Sequence, residues 1–458
     1  MSSPVATFRD PAGSLRIDDD DRVLRTVRPE YAEDCLNFLG SELAQSWIAA
    51  GRLVETRVLA SAPGEQLELK HQRVFFPSYP WEWTPGQWIA AAELTLDFAE
   101  QQLSIGRVLK DATPLNVLFE GSRPVFVDVL STEARELENP LWMAYGQFVR
   151  TFLLPLAAYK YLGWSLTASL SRRDGYEPRD LYRYFSTWTR LQPAVFSHVT
   201  LPFLLEKKNA INTSGKKLKQ RPNVALYMHR QHIKHLRRAL RAFRPKMGES
   251  KWSAYPESAS HYSSSDRNEK HEFIERILYT AKPAQVLDIG ANTGEYSRLA
   301  AQAGANVVAW DTDVASSEQN WRAACESRLP ILPLIADAAR PTPALGWQNA
   351  ETSSLIDRAR GRFDLVMMLG LIHHLLLIDQ IPMAEIARLV NEFTTRWAVI
   401  EWVPASDTRF RDLCRGRDSL YAHLDERAFL RSFTQYFEPL ARRPLSNGRV
   451  LFFLLRNR

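Results

Sequence analysis

Apolar and polar positions fall into two rhythms along the chain. From about residue 270 onward, apolar runs of strand length alternate with stretches whose apolar residues recur every three or four positions. AQVLDIGA, NVVAWDTD, FDLVMMLG and WAVIEWVP are the runs. They are apolar on both faces, the pattern of strands buried in a sheet that helices cover. YSRLAAQAG, SSEQNWRAACESR and MAEIARLVNEF lie between them and predict helices. FEPLARRPLSNGRVLFFLLRN sets two strand candidates around the turn signal SNG and predicts a terminal antiparallel hairpin. This alternation predicts an α/β domain: a doubly wound, mainly parallel sheet with ligands at the carboxyl ends of its strands.

The first half is less regular and predicts an α+β domain. LVETRVLA and LELKHQRVFF read as strands around the turn signal SAPGE. WIAAAELTLDFAEQQLS has the helical period, and VLF with PVFVDV reads as two short strands around EGSR. Residues 140–205 predict helices rich in Leu, Tyr, Phe and Trp. EKKNAINTSGKKLKQRPN is polar and basic and reads as a linker. After it, YMHRQHIKHLRRALRAFRPK predicts a basic connector helix with Ile233, Leu236 and Leu240 as an apolar stripe. The expected divisions are a loose arm over 1–20, an N-terminal domain over 21–205, a linker and connector helix over 206–265, and a last domain over 266–458.

Composition changes this picture little. Of 458 residues, 45% are hydrophobic and 24% charged, ordinary values for a globular protein of two or three domains. A net charge of +6 is a mild bias, not a nucleic-acid signature. Cys35, Cys325 and Cys414 are widely spaced with no CxxC pair, which fits a reducing compartment rather than a disulfide framework. The N-terminus lacks the apolar core of a secretory signal, and no charge-free stretch has membrane length. The expected location is cytoplasmic.

The strongest chemical signal is VLDIGANTGEYS, residues 286–297. A strand ends near Asp288; Gly290 and Gly294 allow a tight turn and close approach to a ligand before the next helix. Asp311 ends the following strand at roughly the 20-residue interval at which a carboxylate accepts ribose hydroxyls. D-I-G-A-N-T-G resembles the first motif of class I S-adenosylmethionine-dependent methyltransferases, over about the last 190 residues. It departs from that motif at Asn292, a residue that tolerates the left-handed region. The resemblance implies a Rossmann-like fold and S-adenosylmethionine as cofactor. It implies that Asp288 and the Gly290–Gly294 turn face the methionine part and that Asp311 holds the ribose. It places Asp337 at the adenine amino group, and Leu369 with Gly370 beside the sulfonium. GLIHHLLL puts His373 and His374 just after a strand, where a general base belongs, and the choice between them stays open. Glu401, ending WAVIEWVP, is a second candidate to orient substrate. Two adjacent histidines without a third ligand predict no metal site.

One stretch points elsewhere. In LKDATPLNVLFEGSRPVFVD, Asp111, Asn116 and Asp128 have the order of a catalytic acid and two metal-holding groups. K-D-x-x-P-x-N before a strand ending in Asp resembles small-molecule kinases of the aminoglycoside phosphotransferase type. The glycine-rich phosphate cover is missing, Lys110 stands where a histidine or arginine is usual, and Lys70 is the one upstream lysine on offer. The reading is a degenerate kinase-like domain that serves structure or substrate recognition. The pairing of such a domain with a methyltransferase resembles nodulation-protein-type bacterial methyltransferases. The expected function is methyl transfer to a small molecule or glycan, with oxygen the preferred acceptor. A bifunctional kinase and methyltransferase, an RNA methyltransferase and a non-catalytic cofactor-binding regulator are the alternatives.

Overall fold

The computed structural model describes residues 6, 7, 9–60, 64–209, 219–245, 264–414, 416, 418–421 and 423–457. Residues 210–218 of the expected linker, residues 246–263, most of the N-terminal tip and part of the SAPGE turn lie outside the described residues. The chain forms two compact units, residues 1–247 and 248–458.

The first unit opens with strands β1 (Ala6–Thr7), β2 (Gly13–Ile17), β3 (Val23–Val27), β4 (Thr56–Ala60) and β5 (Leu67–His71). They form an antiparallel sheet in the order β1-β2-β3-β5-β4. Helices α1 (Pro29–Leu39) and α2 (Glu42–Ala49) lie between β3 and β4 in sequence. Helix α3 (Pro85–Gln102) starts at a capping box in which Thr84 and Gln87 satisfy each other's backbone N–H groups. Short β6 (Arg107–Leu109) pairs with β9 (Thr132–Ala134), enclosing the expected hairpin of β7 (Val117–Glu120) and β8 (Arg123–Phe126). Phe98 of α3 packs its ring 4.7 Å from Trp47 and 4.6 Å from Phe126, tying helix, α2 and hairpin into one core.

The basic segment forms helix α4 (Pro222–Phe243) and belongs to this first unit. Its stripe of Ile233, Leu236 and Leu240 is buried. Its charges meet α3: Arg237 donates to Asp97 at 2.8 Å and to Glu100 at 2.9 Å.

The second unit begins with helix α5 (Ser264–Ala281). Its strands are β10 (Gln285–Ile289), β11 (Asn306–Asp311), β12 (Ile331–Ile335), β13 (Phe363–Met368), β14 (Thr394–Trp402), β15 (Phe437–Pro444) and β16 (Val450–Arg456). They pair in the order β12-β11-β10-β13-β14-β16-β15. The first five are mutually parallel; β16 runs antiparallel to both neighbours. Helices α6 (Glu295–Gln302), α7 (Val314–Ser327), α8 (Ile372–Leu377) and α9 (Met383–Phe393) lie between strands in sequence. This is the doubly wound sheet with an antiparallel hairpin that the apolar runs predict. The chain winds outward from β10 to β12, then returns to place β13 on the other side of β10. That reversal opens a crevice at the carboxyl ends of β10 and β13.

Candidate active site

The turn after β10 is built for that crevice. Gly290 and Gly294 both have φ of +78°, and Asn292 has φ of +50°. A Cβ on Gly294 would lie 2.0 Å from the Asn320 Oδ1, so α6 and α7 approach each other only because this residue has no side chain. The N–H groups of Gly290 and Ala291 both donate to the Trp310 carbonyl, at 2.8 and 3.0 Å, which locks the turn to β11. Asp311 fixes it from the other side. Its Oδ2 accepts from the Asn292 N–H at 2.7 Å and its Oδ1 from the Asp313 N–H at 2.8 Å. Burial raises the Asp311 pKa, and these two N–H groups oppose the rise.

Asp288 is 2% exposed and accepts the Ser297 hydroxyl at 2.6 Å. Burial pushes its carboxyl up to about 6, the Ser297 bond opposing. Across the crevice, Gly370 has φ of +67°. A Cβ on Gly290 would lie 3.3 Å from the Leu371 side chain, so the turns after β10 and β13 meet. α8 follows with His373 and His374, whose ring centroids are 4.3 Å apart.

Residues 262–432 match the family model of a methyltransferase domain. The second unit is an S-adenosylmethionine-dependent methyltransferase. Nodulation protein NoeA of Rhizobium meliloti (strain 1021) is 27% identical over 447 residues, 94% of this chain and 91% of that protein. Two solved structures are similar to part of the chain. The N-methyltransferase NodS from Bradyrhizobium japonicum WM9 has a TM-score of 0.32 at 13% identity, over 43% of this chain and 99% of NodS. Magnesium protoporphyrin IX methyltransferase from Synechocystis PCC 6803 has a TM-score of 0.31 at 16% identity, over 42% of this chain and 83% of that one.

In the methyltransferase domain the expected cofactor residues cluster at strand ends. Asp337 follows β12, where its Oδ1 accepts the Ala339 N–H at 2.8 Å and its Oδ2 pairs with Arg340 at 3.1 Å. Arg340 reaches on to Asp379, 2.6 Å away. Leu369 is half-buried against the core cluster beneath the sheet. The residue types fit an adenosyl cofactor: carboxylates at successive strand ends, and a turn whose Gly290 and Gly294, both at φ of +78°, bring the backbone close against Leu371 and Asn320.

The histidines differ. His373 is 2% exposed; burial first, then the adjacent His374, lowers its pKa to about 3. Its Nδ1 has no hydrogen-bond partner among the described residues. His374 is half-buried, with its pKa also lowered, by burial first and then by Arg449. Glu401 is fully buried between two cations: Lys270 donates to its Oε2 at 2.7 Å and Arg449 to its Oε1 at 3.2 Å. Arg449 continues to Asp407 at 2.8 Å. A Cβ on Gly370 would lie 3.7 Å from Glu401 and 3.9 Å from Arg449, so this ionic chain backs the turn after β13. Sequence reading missed Lys270, Arg449, Asp407 and Ser297. Lys270 meets Glu401 across 131 positions, a separation at which no spacing rule operates.

In the first unit, Asp128 is held by Arg25. Its Oδ1 lies 3.0 Å from the Arg25 guanidinium, and its Oδ2 accepts the Ser131 hydroxyl. Burial acts to raise the Asp128 pKa, but Arg25 and Ser131 outweigh it and hold the carboxyl below its ordinary range. Arg25 also donates to His71 at 3.2 Å. Asn116 donates to Ser131 at 2.8 Å and to the Asp111 carbonyl at 3.3 Å. Asp111 is raised, by burial first and then by Asp128. Lys70 is exposed on β5. Among the described residues, no group of three His, Cys, Asp or Glu is disposed to hold a metal ion.

Proposed function

We propose that the chain methylates an oxygen of a small-molecule or glycan acceptor, and that its first unit aids acceptor recognition. The observation carrying this reading is the crevice between β10 and β13, where the Gly290 turn packs on Leu371, one residue ahead of the helix bearing both histidines. When bound there, S-adenosylmethionine supplies a methyl group on a sulfonium for in-line displacement. Asp311 accepts the ribose hydroxyls with lone pairs left over from its two N–H bonds. Asp288 and the Gly290–Asn292–Gly294 turn face the methionine part, Asp337 the adenine amino group, and Leu369 with Gly370 the reacting centre.

His374 takes the proton of the acceptor hydroxyl. Its lowered pKa keeps it neutral at pH 7, and it is the less buried of the pair. His373 supports it from the core. Glu401 acts through Lys270 and Arg449 and positions the turn after β13 rather than touching acceptor. The first unit serves recognition and not phosphoryl transfer, because Arg25 already neutralises the carboxylate that would hold a metal. Pairing of Arg237 with Asp97 and Glu100 takes charge from the basic helix and weighs against RNA as the acceptor.

Calorimetry with S-adenosylmethionine tests the site. Asp311→Ala is expected to weaken binding at least about tenfold, or ~1.4 kcal/mol. Unaltered affinity would sink the assignment. Incubating culture extracts with methyl-labelled cofactor then identifies the acceptor fraction.

A further inference from the structure

Helix α5 is held to the second unit in two different ways along its length. In its C-terminal half, Phe273, Ile274, Ile277 and Leu278 are buried in one apolar cluster with Val286 of β10 and Val307 of β11. One and two turns earlier the same face carries Lys270 and Asp266, only 7% and 1% exposed. Buried charges thus stand where the helical period calls for apolar residues.

Each of these charges has a built partner next to the crevice. Lys270 donates to Glu401 at 2.7 Å, and its ammonium lies 4.9 Å from the centre of the Tyr296 ring. Tyr296 stands in the first turn of α6, two residues past Gly294. Glu401 backs the turn after β13, within 3.7 Å of where a Cβ on Gly370 would be. Lys270 therefore touches what supports both walls of the crevice. Asp266 accepts the Ser446 N–H at 2.7 Å and the Ser446 hydroxyl at 2.9 Å. Ser446 lies in the turn between β15 and β16, which closes through the Leu445 N–H and the Arg449 carbonyl at 2.8 Å. That turn delivers Arg449 to Glu401 at 3.2 Å. The two charges of α5 converge on one carboxylate, Lys270 directly and Asp266 through the turn. Apolar residues of similar volume would hold a helix at least as firmly; a buried ion holds only while its partner stays in place.

We infer that the N-terminal half of α5, residues 264–271, is a charge-held clasp whose seating and cofactor binding reinforce each other. A seated α5 fixes Tyr296 and Glu401, and through them the turns after β10 and β13. Cofactor held by those turns keeps Glu401 where Lys270 meets it, and such coupling acts equally in both directions. Lys270 and Asp266 are positioning residues that act through other side chains. The inference rests on the reading of the crevice between β10 and β13 as the cofactor site.

Hydrogen exchange on the full chain, with and without S-adenosylmethionine, separates the clasp from that reading. It follows residues 268–272 in the clasp, 275–281 in the apolar half of α5, and 290–296 in the glycine turn. Cofactor is expected to slow exchange at least about fivefold in the clasp and in the glycine turn, and to leave the apolar half nearly unchanged. Lys270→Met keeps the stem and removes the charge; it should weaken cofactor binding at least about tenfold by calorimetry and abolish the slowing in the clasp. Lys270→Arg, which restores the cation, should recover most of both. Asp266→Asn keeps the side chain's size and should weaken binding several-fold, so it reports even if Lys270→Met fails to fold. A glycine turn slowed by cofactor beside an unaffected clasp overturns the inference and leaves the crevice standing. Slowing in neither segment overturns both. Parental affinity in Asp266→Asn and in a folded Lys270→Met also overturns the clasp.

Discussion

Asp288 is buried and Asp311 half-buried at the ends of adjacent strands, and their charges are held in different ways. Ser297 gives Asp288 one hydroxyl donor, whereas Asp311 receives two backbone N–H groups that are part of the turn itself. Removing the Asp311 carboxylate therefore costs the turn as well as the proposed ribose contact. The histidines repeat the contrast between buried and half-buried groups. With a general base worth about 10²–10⁴ in rate, His374→Gln is expected to lower kcat roughly 100-fold and leave KM within about threefold. Because the His374 pKa is lowered, the acid limb of the wild-type kcat profile should lie below pH 6.5. An active His374→Gln enzyme with an unshifted acid limb would remove His374 from the proton transfer. The Lys270–Glu401–Arg449–Asp407 chain is a different kind of residue-scale device. Each charge in it has an opposite neighbour, so breaking one link leaves a buried ion uncompensated.

At the scale of elements, the start of α6 shows most directly why a particular residue stands where it does. Gly294→Ala puts a Cβ into the Asn320 side chain at a backbone φ of +78°. The expected loss is about 1–3 kcal/mol, read from urea unfolding, together with weaker cofactor binding. A variant as stable as the parent would show that α7 yields easily. Much of this domain was legible from sequence. Parallel strands buried on both faces are written as apolar runs, and the glycine turn sits within a dozen residues of the strand it follows. The Asp311 carboxylate was legible as well, because the βαβ unit places it at a set distance along the chain. What was not legible comes from pairing between distant segments. Nothing local distinguishes Arg449 from any other hairpin arginine, or tells that Arg25 rather than Lys70 is aimed at Asp128. The helix α4 was readable as a basic amphipathic segment. Its place in the first unit was not, since that depends on the acids of α3 as partners for Arg237.

Over the whole molecule, the histidines give folding a pH dependence with a definite sign. Six of them, His71, His198, His229, His232, His373 and His374, have pKa values lowered chiefly by burial, His71 and His373 to about 3 and His198 to about 4. Unfolded, each binds a proton near pH 6.5; folded, each resists it, so the unfolded state holds more protons below that pH and stability falls with acidity. The raised carboxyls of Asp288, Asp311 and Asp111 act in the opposite sense, taking up protons in the folded state as pH falls towards their ordinary range. Asp128 and Asp407, lowered by Arg25 and Arg449, add to the acid loss at lower pH. Between pH 7 and 5 the histidines dominate, and the urea midpoint is expected to drop; a midpoint constant over that interval would contradict the buried, neutral state of these rings. The sheet of the second unit adds a constraint of timing. β16 is made after β15 but lies inside it, bonded to β14 on one side and β15 on the other. Until Val450–Arg456 emerges from the ribosome, the outer edge of β14 stays open as a row of unmatched N–H and C=O groups. The nascent domain thus carries an adhesive border from the completion of β14 at Trp402 until Val450–Arg456 is made, and that strand is the one that seals it.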